Sequence, residues 1–411
     1  MKEGRRIFGL PKNIIGMGLV SFLNDLSSDM VFPFIPTFLT VTLGASATFV
    51  GLVEGFADAT ASILKIIAGR LSDKYKARKP FVVFGYSLSA IAKPILAFAT
   101  APWHVFAVRF FDRVGKGTRD APRDALISSS IEKKDVGRAF GFHRSSDTMG
   151  AALGPLLAFL ILPLIDNDLR TLFLLSFVAS FFAVLVIVIF VREIKPGEGL
   201  NVVSPESAAP ISIPASRLRG QADEHIWKPS FIVFLIAVTL FTLGKASEAF
   251  LLMRASSVGV AVVFLPIIYF VFNISLAGFS TPVGILSDKI GHRNTYMIGM
   301  LLFSVTYALF GLASSALAVW ALFALFGLSA AFTEGVGRAI VSDLVGEQHK
   351  ATAFGIYNAL IGLALLPSCL IFGKLWDVYG PSVPFYFGAS LGLLSFVVFA
   401  FMRFGNGKKP A

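Results

Sequence analysis

The sequence is poor in the residues that build disulfides, thiolate metal clusters and aqueous surfaces. It has one cysteine, five histidines and only 15% charged residues over 411 positions, against 55% hydrophobic residues. A single cysteine excludes an internal disulfide and Cys-pair redox chemistry, and the histidines form no convincing metal-ligand pattern. So little charge also excludes a water-soluble domain of this length. The chain is therefore predicted to fold in lipid.

Long apolar runs, separated by short polar segments, take the place of an aqueous surface. A bilayer core of roughly 30 Å requires about 20 apolar residues per helix, and the runs are continuous rather than alternating, which excludes a β-barrel. We predict an all-α membrane protein with twelve transmembrane helices. The predicted spans are 14–40, 47–71, 80–100, 102–127, 138–164, 170–191, 229–255, 258–286, 294–314, 317–342, 351–375 and 381–403.

Lysine and arginine are distributed unevenly between the two ends of these spans. With the N-terminus inside, the inner segments contain the basic clusters 70–79 and 116–138, whereas the outer loops hold little more than Arg170 and Arg254. Basic residues favour cytoplasmic loops, so both termini are predicted to be cytoplasmic, in the inner (plasma) membrane of the cell. This rule, with anionic inner-leaflet lipids, explains the net charge of +11 without a nucleic-acid partner.

The longest polar stretch divides the spans into six plus six. Residues 192–228 have the proline- and glycine-rich composition of a linker, so we predict bundles at 1–191 and 229–411 joined by a cytoplasmic linker. The halves repeat short segments in register: Gly-x-Leu-Ser-Asp-Lys begins at Gly69 and Gly284, and Ala-Phe-Gly begins at Ala139 and Ala353. A parallel repeat predicts two pseudo-symmetric six-helix bundles that rock about a central cavity.

The first of these repeated segments forms a loop motif. Gly284, Asp288, Lys289, Gly291 and Arg293 match the pattern GxLaDrxGrr, and in this the sequence resembles the major facilitator superfamily. The resemblance implies the twelve-helix MFS fold, a transport function rather than an enzymatic one, and no cofactor. The first copy has one extra residue and lacks the inner glycine, and its matching residues are Gly69, Asp73, Lys74 and Arg78.

Two shorter patterns indicate a branch within that superfamily. Gly150, Gly154 and Pro155 resemble the core of the exporter motif gxxxGPxxGG, without its later glycines, and Arg109 with Gly115 resembles the element RxxqGxG. The resemblance implies a bacterial drug:proton antiporter-like carrier whose partners are a small-molecule substrate, protons and the bilayer, with no obligatory protein partner. Close helix packing is the alternative role for the glycines.

The loop aspartates are predicted to form a conformational gate. An aspartate at the inner end of one helix can accept hydrogen bonds from free amides at the start of a helix in the opposite half. We expect Asp73 to approach Ala351 and Asp288 to approach Val136 only while the cytoplasmic side is closed. The alternative is that both aspartates are loop charges whose positions reflect membrane topology alone. The other predicted gate residues are Arg123, Glu334 and Arg338.

Ionisable residues at membrane depth are costly, so they should face the bundle interior. Asp25 and Asp29 share a face of span one, and Glu54 and Asp58 share a face of span two. These four are predicted to couple transport to protons; a stabilising ion-pair lattice is the alternative. Lys93 is predicted to extend outward from span three. The remaining predicted cavity residues are Arg109, Asp112, Arg113, Arg144, Asp147, Lys245 and Glu248.

Three functions are compatible with these patterns. The acid-rich first spans and the exporter-like glycines favour proton-coupled export of a small molecule. Uptake of an organic anion by symport would use Arg109, Arg113, Arg144 and Lys245 as anion hooks. A non-transporting membrane sensor or scaffold is the third reading. No catalytic residue and no metal site is predicted.

Overall fold

The computed structural model describes residues 10–131, 135–193, 227–345 and 349–401. These ranges form twelve helical segments, so the prediction of an all-α chain with twelve spans is confirmed, with boundaries within a few residues. The segments are α1 Lys12–Thr42, α2 Ala47–Tyr75, α3 Lys79–Ala97, α4 Pro102–Ser129, α5 Val136–Ile165, α6 Leu169–Phe190, α7 Pro229–Ser257, α8 Val262–Ile290, α9 His292–Leu312, α10 Ala316–Leu344, α11 Lys350–Tyr379 and α12 Val383–Ala400.

Ten of the twelve segments are long and apolar enough to cross a membrane. The two outside that group are α2 and α4, which contain the predicted residues Glu54, Asp58, Arg109, Asp112 and Arg113. The most charged helices of the chain are therefore the ones that carry much of the candidate site.

The first helix changes its geometry near its two prolines. It is α-helical over Lys12–Val31, tightens to a 3₁₀ turn at Phe32–Phe34 and widens to a π-helical turn at Phe38–Thr42. Pro33 and Pro36 have no backbone N–H to donate, so the regular i to i−4 pattern is interrupted there.

The seventh segment is interrupted, although the sequence predicts one span over 229–255. Its first half, Pro229–Gly244, ends before an extended residue, Lys245 (φ −100°, ψ 94°), and its second half is Glu248–Ser257. Two serine side chains form hydrogen bonds with the backbone at this interruption. Ser247 Oγ accepts from the Ala249 amide at 3.3 Å, and Ser368 Oγ donates to the Leu243 carbonyl at 3.0 Å. Each partner satisfies a backbone group that a helix end leaves free.

The described residues group into two compact units. The first contains α1–α6 together with Val260–Phe270, and the second contains the rest of the described chain, from α7 to α12. Of the predicted linker 192–228, residues 194–226 lie outside the described ranges.

Helices of the first unit approach closely at glycines. A Cβ on Gly85 of α3 would lie 2.5 Å from the Gly115 carbonyl oxygen of α4, and the reverse distance is also 2.5 Å. A Cβ on Gly154 of α5 would lie 2.6 Å from the Leu26 carbonyl oxygen of α1, and Gly150 touches the same helix one turn earlier. Only residues without a side chain permit such contacts.

The second unit is packed around aromatic rings instead. Phe241 of α7 and Phe303 and Tyr307, one turn apart on α9, are buried together. The ring centroids are 4.6 Å apart for Phe241 and Phe303 and 4.1 Å apart for Phe303 and Tyr307. Phe310 and Phe385 extend this stack, with centroids 5.7 Å apart.

Candidate functional site

A buried ion pair joins α2 to α4 in the first unit. Arg109 Nη2 lies 2.7 Å from Oε2 and 2.9 Å from Oε1 of Glu54, and the two side chains are only 7% and 2% exposed. The Arg109 guanidinium also lies 5.7 Å from the centre of the Phe32 ring. A short, fully desolvated contact of this kind holds both charges in place, because either one alone would be uncompensated.

Asp112 and Arg113 extend this pair along α4. Asp112 Oδ2 lies 3.8 Å from Arg109 Nη1 and 3.9 Å from Arg113 Nε. Four predicted residues, Glu54, Arg109, Asp112 and Arg113, are thus brought together. Asp58, half-buried one turn beyond Glu54, has no basic group within 4.0 Å among the described residues.

The two aspartates of α1 differ from Glu54 in having no basic nitrogen within ion-pair distance. Asp25 and Asp29 are both half-buried, and over the described ranges no basic nitrogen lies within 4.0 Å of either. Asp25 accepts a hydrogen bond of 2.9 Å from Asn24 Nδ2. A Cβ on Gly154 would lie 3.1 Å from the Asp29 Cβ, so the exporter-like glycine passes directly beside this acid.

Asp147 connects α5 to α1, whereas Arg144 turns away from the bundle core. The Ser21 hydroxyl donates to Asp147 Oδ1. Arg144 Nη1 lies 3.8 Å from Asp147 Oδ2, but the Arg144 side chain is 80% exposed. The structure therefore places Asp147, and not Arg144, among the packed polar groups.

Lys93 points inward, and the prediction that it extends outward from span three is wrong. The residue is only 6% exposed, and Nζ donates to the Asn24 carbonyl oxygen of α1 at 3.5 Å. The direction of the Lys93 side chain depends on the rotation of α3 about its axis. The close contact between Gly85 of α3 and Gly115 of α4 fixes that rotation. A buried cation thus lies on the α1 side of the first unit.

The sequence reasoning missed Arg119, which is 5% exposed in the same unit. Arg119 Nη1 donates to Ser89 Oγ at 2.6 Å and to the Gly85 carbonyl at 3.3 Å, and its guanidinium lies 4.3 Å from the Tyr86 ring centre. Its spacing was the available signal: it follows Asp112 by two helical turns and shares that face.

The first copy of the loop motif is held by an acid from the end of α6. Glu193 Oε2 accepts from the backbone amides of Arg78 at 3.0 Å and Lys79 at 2.7 Å, where α3 begins. Arg78 Nη1 donates to the Ala125 carbonyl of α4 at 3.0 Å. Glu193 was missed because it falls in the predicted linker. Asp73 itself is exposed, as is Lys74.

The missing inner glycine of this first copy is replaced by a lysine in a left-handed conformation. Lys76 has φ 51° and ψ 33°, and it ends α2. Gly291 stands at the same place in the second copy, with φ 89° and ψ 142°. Both loops therefore turn at a residue of positive φ, although only one of them uses glycine for it.

In the second copy the motif is tied to α10 through a histidine. His292 Nδ1 lies 2.6 Å from Asp343 Oδ2, and His292 Nε2 lies 3.6 Å from Asp288 Oδ1. The Asp288 side chain is 78% exposed. Arg293 Nη2 donates to the Ala400 carbonyl at the end of α12, at 2.6 Å. His292 and Asp343 were not predicted.

The other predicted gate residues are divided between the units. Arg123 Nη2 lies 2.9 Å from Asp124 Oδ1 and Arg123 Nη1 lies 3.6 Å from Asp120 Oδ1, all on α4. A Cβ added to Gly69 would lie 3.3 Å from the Ala121 Cβ of α4. A Cβ added to Gly284 would meet no atom within 4 Å. Gly69 is thus a helix contact and Gly284 is not.

An ion pair at the interruption of α7 joins it to α10. Lys245 Nζ lies 3.1 Å from Glu334 Oε1, with the two side chains 22% and 49% exposed. Glu248 begins the second half of α7, and Arg338 is exposed one turn beyond Glu334. Two predicted groups, the cavity lysine and the gate glutamate, are therefore direct partners.

The loop before α6 holds a polar cap outside the membrane span. Asp168 accepts from the Thr171 hydroxyl at 2.6 Å and from the Arg170 and Thr171 amides at 3.1 Å each. The hydroxyl bond is the main reason that the pKa of Asp168 lies below its usual value. This cap fixes the start of α6.

Twelve helices in the described part of the chain, ten of them long and apolar enough to cross a membrane, with desolvated charges held between helices, are typical of a multi-pass membrane transporter. The family model of the Major Facilitator Superfamily matches residues 17–265 and 249–411. The chain belongs to this superfamily, so it acts on small-molecule substrates in a lipid bilayer and is not an enzyme.

Individual relatives and solved structures agree with this assignment. An uncharacterized MFS-type transporter of Methanocaldococcus jannaschii is 34% identical over 399 residues, covering 96% of this chain and 95% of that protein. A class H tetracycline resistance protein of Pasteurella multocida is 25% identical over 294 residues, which is 70% of each chain. The crystal structure of the nucleoside transporter NupG superposes with a TM-score of 0.77 at 16% identity, over 95% of this chain and 98% of that one.

Proposed function

We propose that the chain is a proton-coupled exporter of a small molecule that works by alternating access, with Asp25 and Asp29 as its proton-binding groups. The observation that carries this proposal is the contrast within the first unit between an acid in direct contact with a basic group, Glu54, and acids that have no described basic group within 4.0 Å. A coupling carboxyl has to gain and lose a proton in each cycle, so it should be free of a permanent counter-ion.

Glu54 does not meet that requirement. Its two oxygens face one Arg109 nitrogen at 2.7 and 2.9 Å, and protonating it would leave the buried Arg109 with only the longer contact to Asp112, at 3.8 Å. We therefore assign Glu54 and Arg109 to holding α2 against α4. Asp25 and Asp29, half-buried and without a basic group within 4.0 Å among the described residues, can bind protons at lower cost. Asp58 is likewise half-buried and has no described basic group within 4.0 Å.

Export is favoured over uptake by two features. The tetracycline resistance protein of Pasteurella multocida is named for resistance, which a carrier confers most simply by removing a compound from the cell. The exporter-like Gly154 also packs beside Asp29: a Cβ added to Gly154 would lie 3.1 Å from the Asp29 Cβ. This motif thus borders the proposed proton-binding helix.

The rest of the proposed cycle follows from the topology. Both termini would lie on the cytoplasmic side of the inner membrane, because the basic segments 70–79 and 116–138 favour that side. Asp73 and Asp288 would act as latches between the bundles in the outward-facing state.

Flux in reconstituted vesicles under an imposed pH gradient tests the proposal. The purified chain should move a panel of labelled lipophilic compounds against the direction of proton flow. Movement of compound and protons in the same direction would instead establish symport, as expected for uptake of an organic anion. A chain that moves none of the panel, with or without a gradient, would contradict the assignment as an exporter.

A further inference from the structure

The interruption of α7 holds a lysine at a place that combines a carboxylate with an aromatic face. Lys245 Nζ lies 3.1 Å from Glu334 Oε1 and 5.9 Å from the centre of the Phe326 ring. Both partners come from α10. An acid beside an aromatic face is the usual recognition chemistry for an organic cation, and here the cation is supplied by the protein itself.

The aromatic side of this place is fixed by packing. Phe326 is 1% exposed and stacks on Phe272 of α8, with centroids 5.1 Å apart, and Tyr307 lies 5.9 Å from the same ring. These rings cannot move aside without disturbing the core of the second unit. The surface under Lys245 is therefore a preformed aromatic floor.

The ion pair is much less constrained than the floor. Glu334 is 49% exposed and Lys245 is 22% exposed, so the pair is open on one side, and ion pairs of this exposure are weak. Lys245 also stands on non-helical backbone between the two halves of α7. Its ammonium can leave Glu334 by rotation of the side chain, without unwinding a helix.

We infer that Glu334 and the Phe326 ring form a binding site for an organic cation, and that Lys245 occupies this site until the cation displaces it. The inference rests on the proposed function and gives it a substrate class: a monovalent, lipophilic cation. Glu334 binds the transported charge, and Lys245 is its internal competitor. Interrupted membrane helices are places where transporters commonly bind substrates and ions, which agrees with the position of Lys245.

Equilibrium binding to the purified full-length chain in detergent tests the inference, with labelled tetraphenylphosphonium as the probe. Tetraphenylborate, which has nearly the same shape and the opposite charge, is the matched probe for an anion. Because no gradient is applied, a failure of proton coupling or of export would leave this measurement unaffected.

Removing the competitor should strengthen cation binding. Lys245→Met is expected to bind tetraphenylphosphonium roughly fivefold more tightly than the wild-type chain, and Glu334→Gln at least about fivefold more weakly. The double variant should bind like Glu334→Gln alone, because Glu334 supplies the charge for which Lys245 and the cation compete. Lys228→Met makes the same change at the exposed start of α7 and should leave binding unchanged.

The reverse pattern would overturn the inference. If Lys245→Met weakened tetraphenylborate binding while Glu334→Gln strengthened it, Lys245 would be an anion hook. Unchanged or absent tetraphenylphosphonium binding in Lys245→Met would equally contradict a cation site, and Lys245→Arg, which keeps the charge, shows whether a lost response comes from misfolding.

Discussion

The two units use the same number of predicted spans but fill their interiors differently. The first buries charge, as in the contact between Glu54 and Arg109, and brings its helices together at glycines such as Gly85 and Gly115. The second buries aromatic rings, and its ion pair between Lys245 and Glu334 is open to its surroundings. Our two proposals place proton coupling in one half of this repeated helical frame and substrate recognition in the other.

The largest contrast should appear when each ion pair is broken. Glu54→Gln removes the shorter of the two acidic contacts of the buried Arg109, leaves only Asp112 at 3.8 Å, and should cost about 3 kcal/mol of unfolding free energy. The matched variant Glu334→Gln, in the open pair of the second unit, should cost less than about 1 kcal/mol. Thermal and denaturant unfolding in detergent measure both. Equal losses would show that the two pairs do not differ in their structural role.

The next contrast concerns packing at glycines. Gly154→Ala places a Cβ 2.6 Å from the Leu26 carbonyl oxygen, and such overpacking should cost about 1–3 kcal/mol. Gly278 of α8, in the second unit, has open space around it, so Gly278→Ala should be neutral or slightly stabilising. The same unfolding measurements apply. Tolerance of alanine at 154 would mean that α1 and α5 are not in close contact.

A smaller effect is expected at the proposed latch. Asp288→Asn removes a charge that would favour the start of a helix in the opposite half, worth about 1 kcal/mol, and should slow cycling by roughly fivefold with normal insertion. Transport rate and thiol labelling of introduced cysteines report this, since the native Cys369 is buried and inert. Asp166→Asn, the same change at an exposed aspartate outside the predicted gate, is the control. An unchanged transport rate and unchanged labelling in Asp288→Asn would contradict the proposal that Asp288 is a latch.

The smallest effect should come from exchanging the turn residues of the two loops. Lys76 holds a left-handed conformation that glycine adopts without strain, so Lys76→Gly should raise stability by less than about 1 kcal/mol. Gly291→Ala should have the opposite sign, because its φ of 89° disfavours any side chain. A destabilised Lys76→Gly chain would show that the lysine side chain holds the first loop.

Hydrophobic runs predicted the twelve helices because length and apolarity decide whether a segment spans the bilayer. They did not predict the interruption at Lys245, where no proline stands and where Ser368, distant in sequence, supplies a hydrogen bond. Nor could they orient Lys93, because rotation of α3 depends on its contact with α4. Such features depend on tertiary partners rather than on local pattern.

The candidate site was predicted only in part, because it too depends on tertiary partners. Depth in the membrane identified Glu54, Arg109, Asp25 and Asp29 as polar interior residues, but only the distances separate the paired acid from the unpaired ones. Glu193 was missed because it follows α6 immediately, where composition indicates a linker, and its role comes from the amides of α3.

The unpaired acids of α1 can be tested most directly by separating exchange from accumulation. In vesicles containing the Asp25→Asn/Asp29→Asn variant, labelled substrate should still exchange across the membrane when no gradient is present, yet an imposed pH gradient should no longer drive its accumulation. Wild-type vesicles should show both. Undiminished accumulation driven by the pH gradient in the double variant would contradict the assignment of these two aspartates as the proton-binding groups.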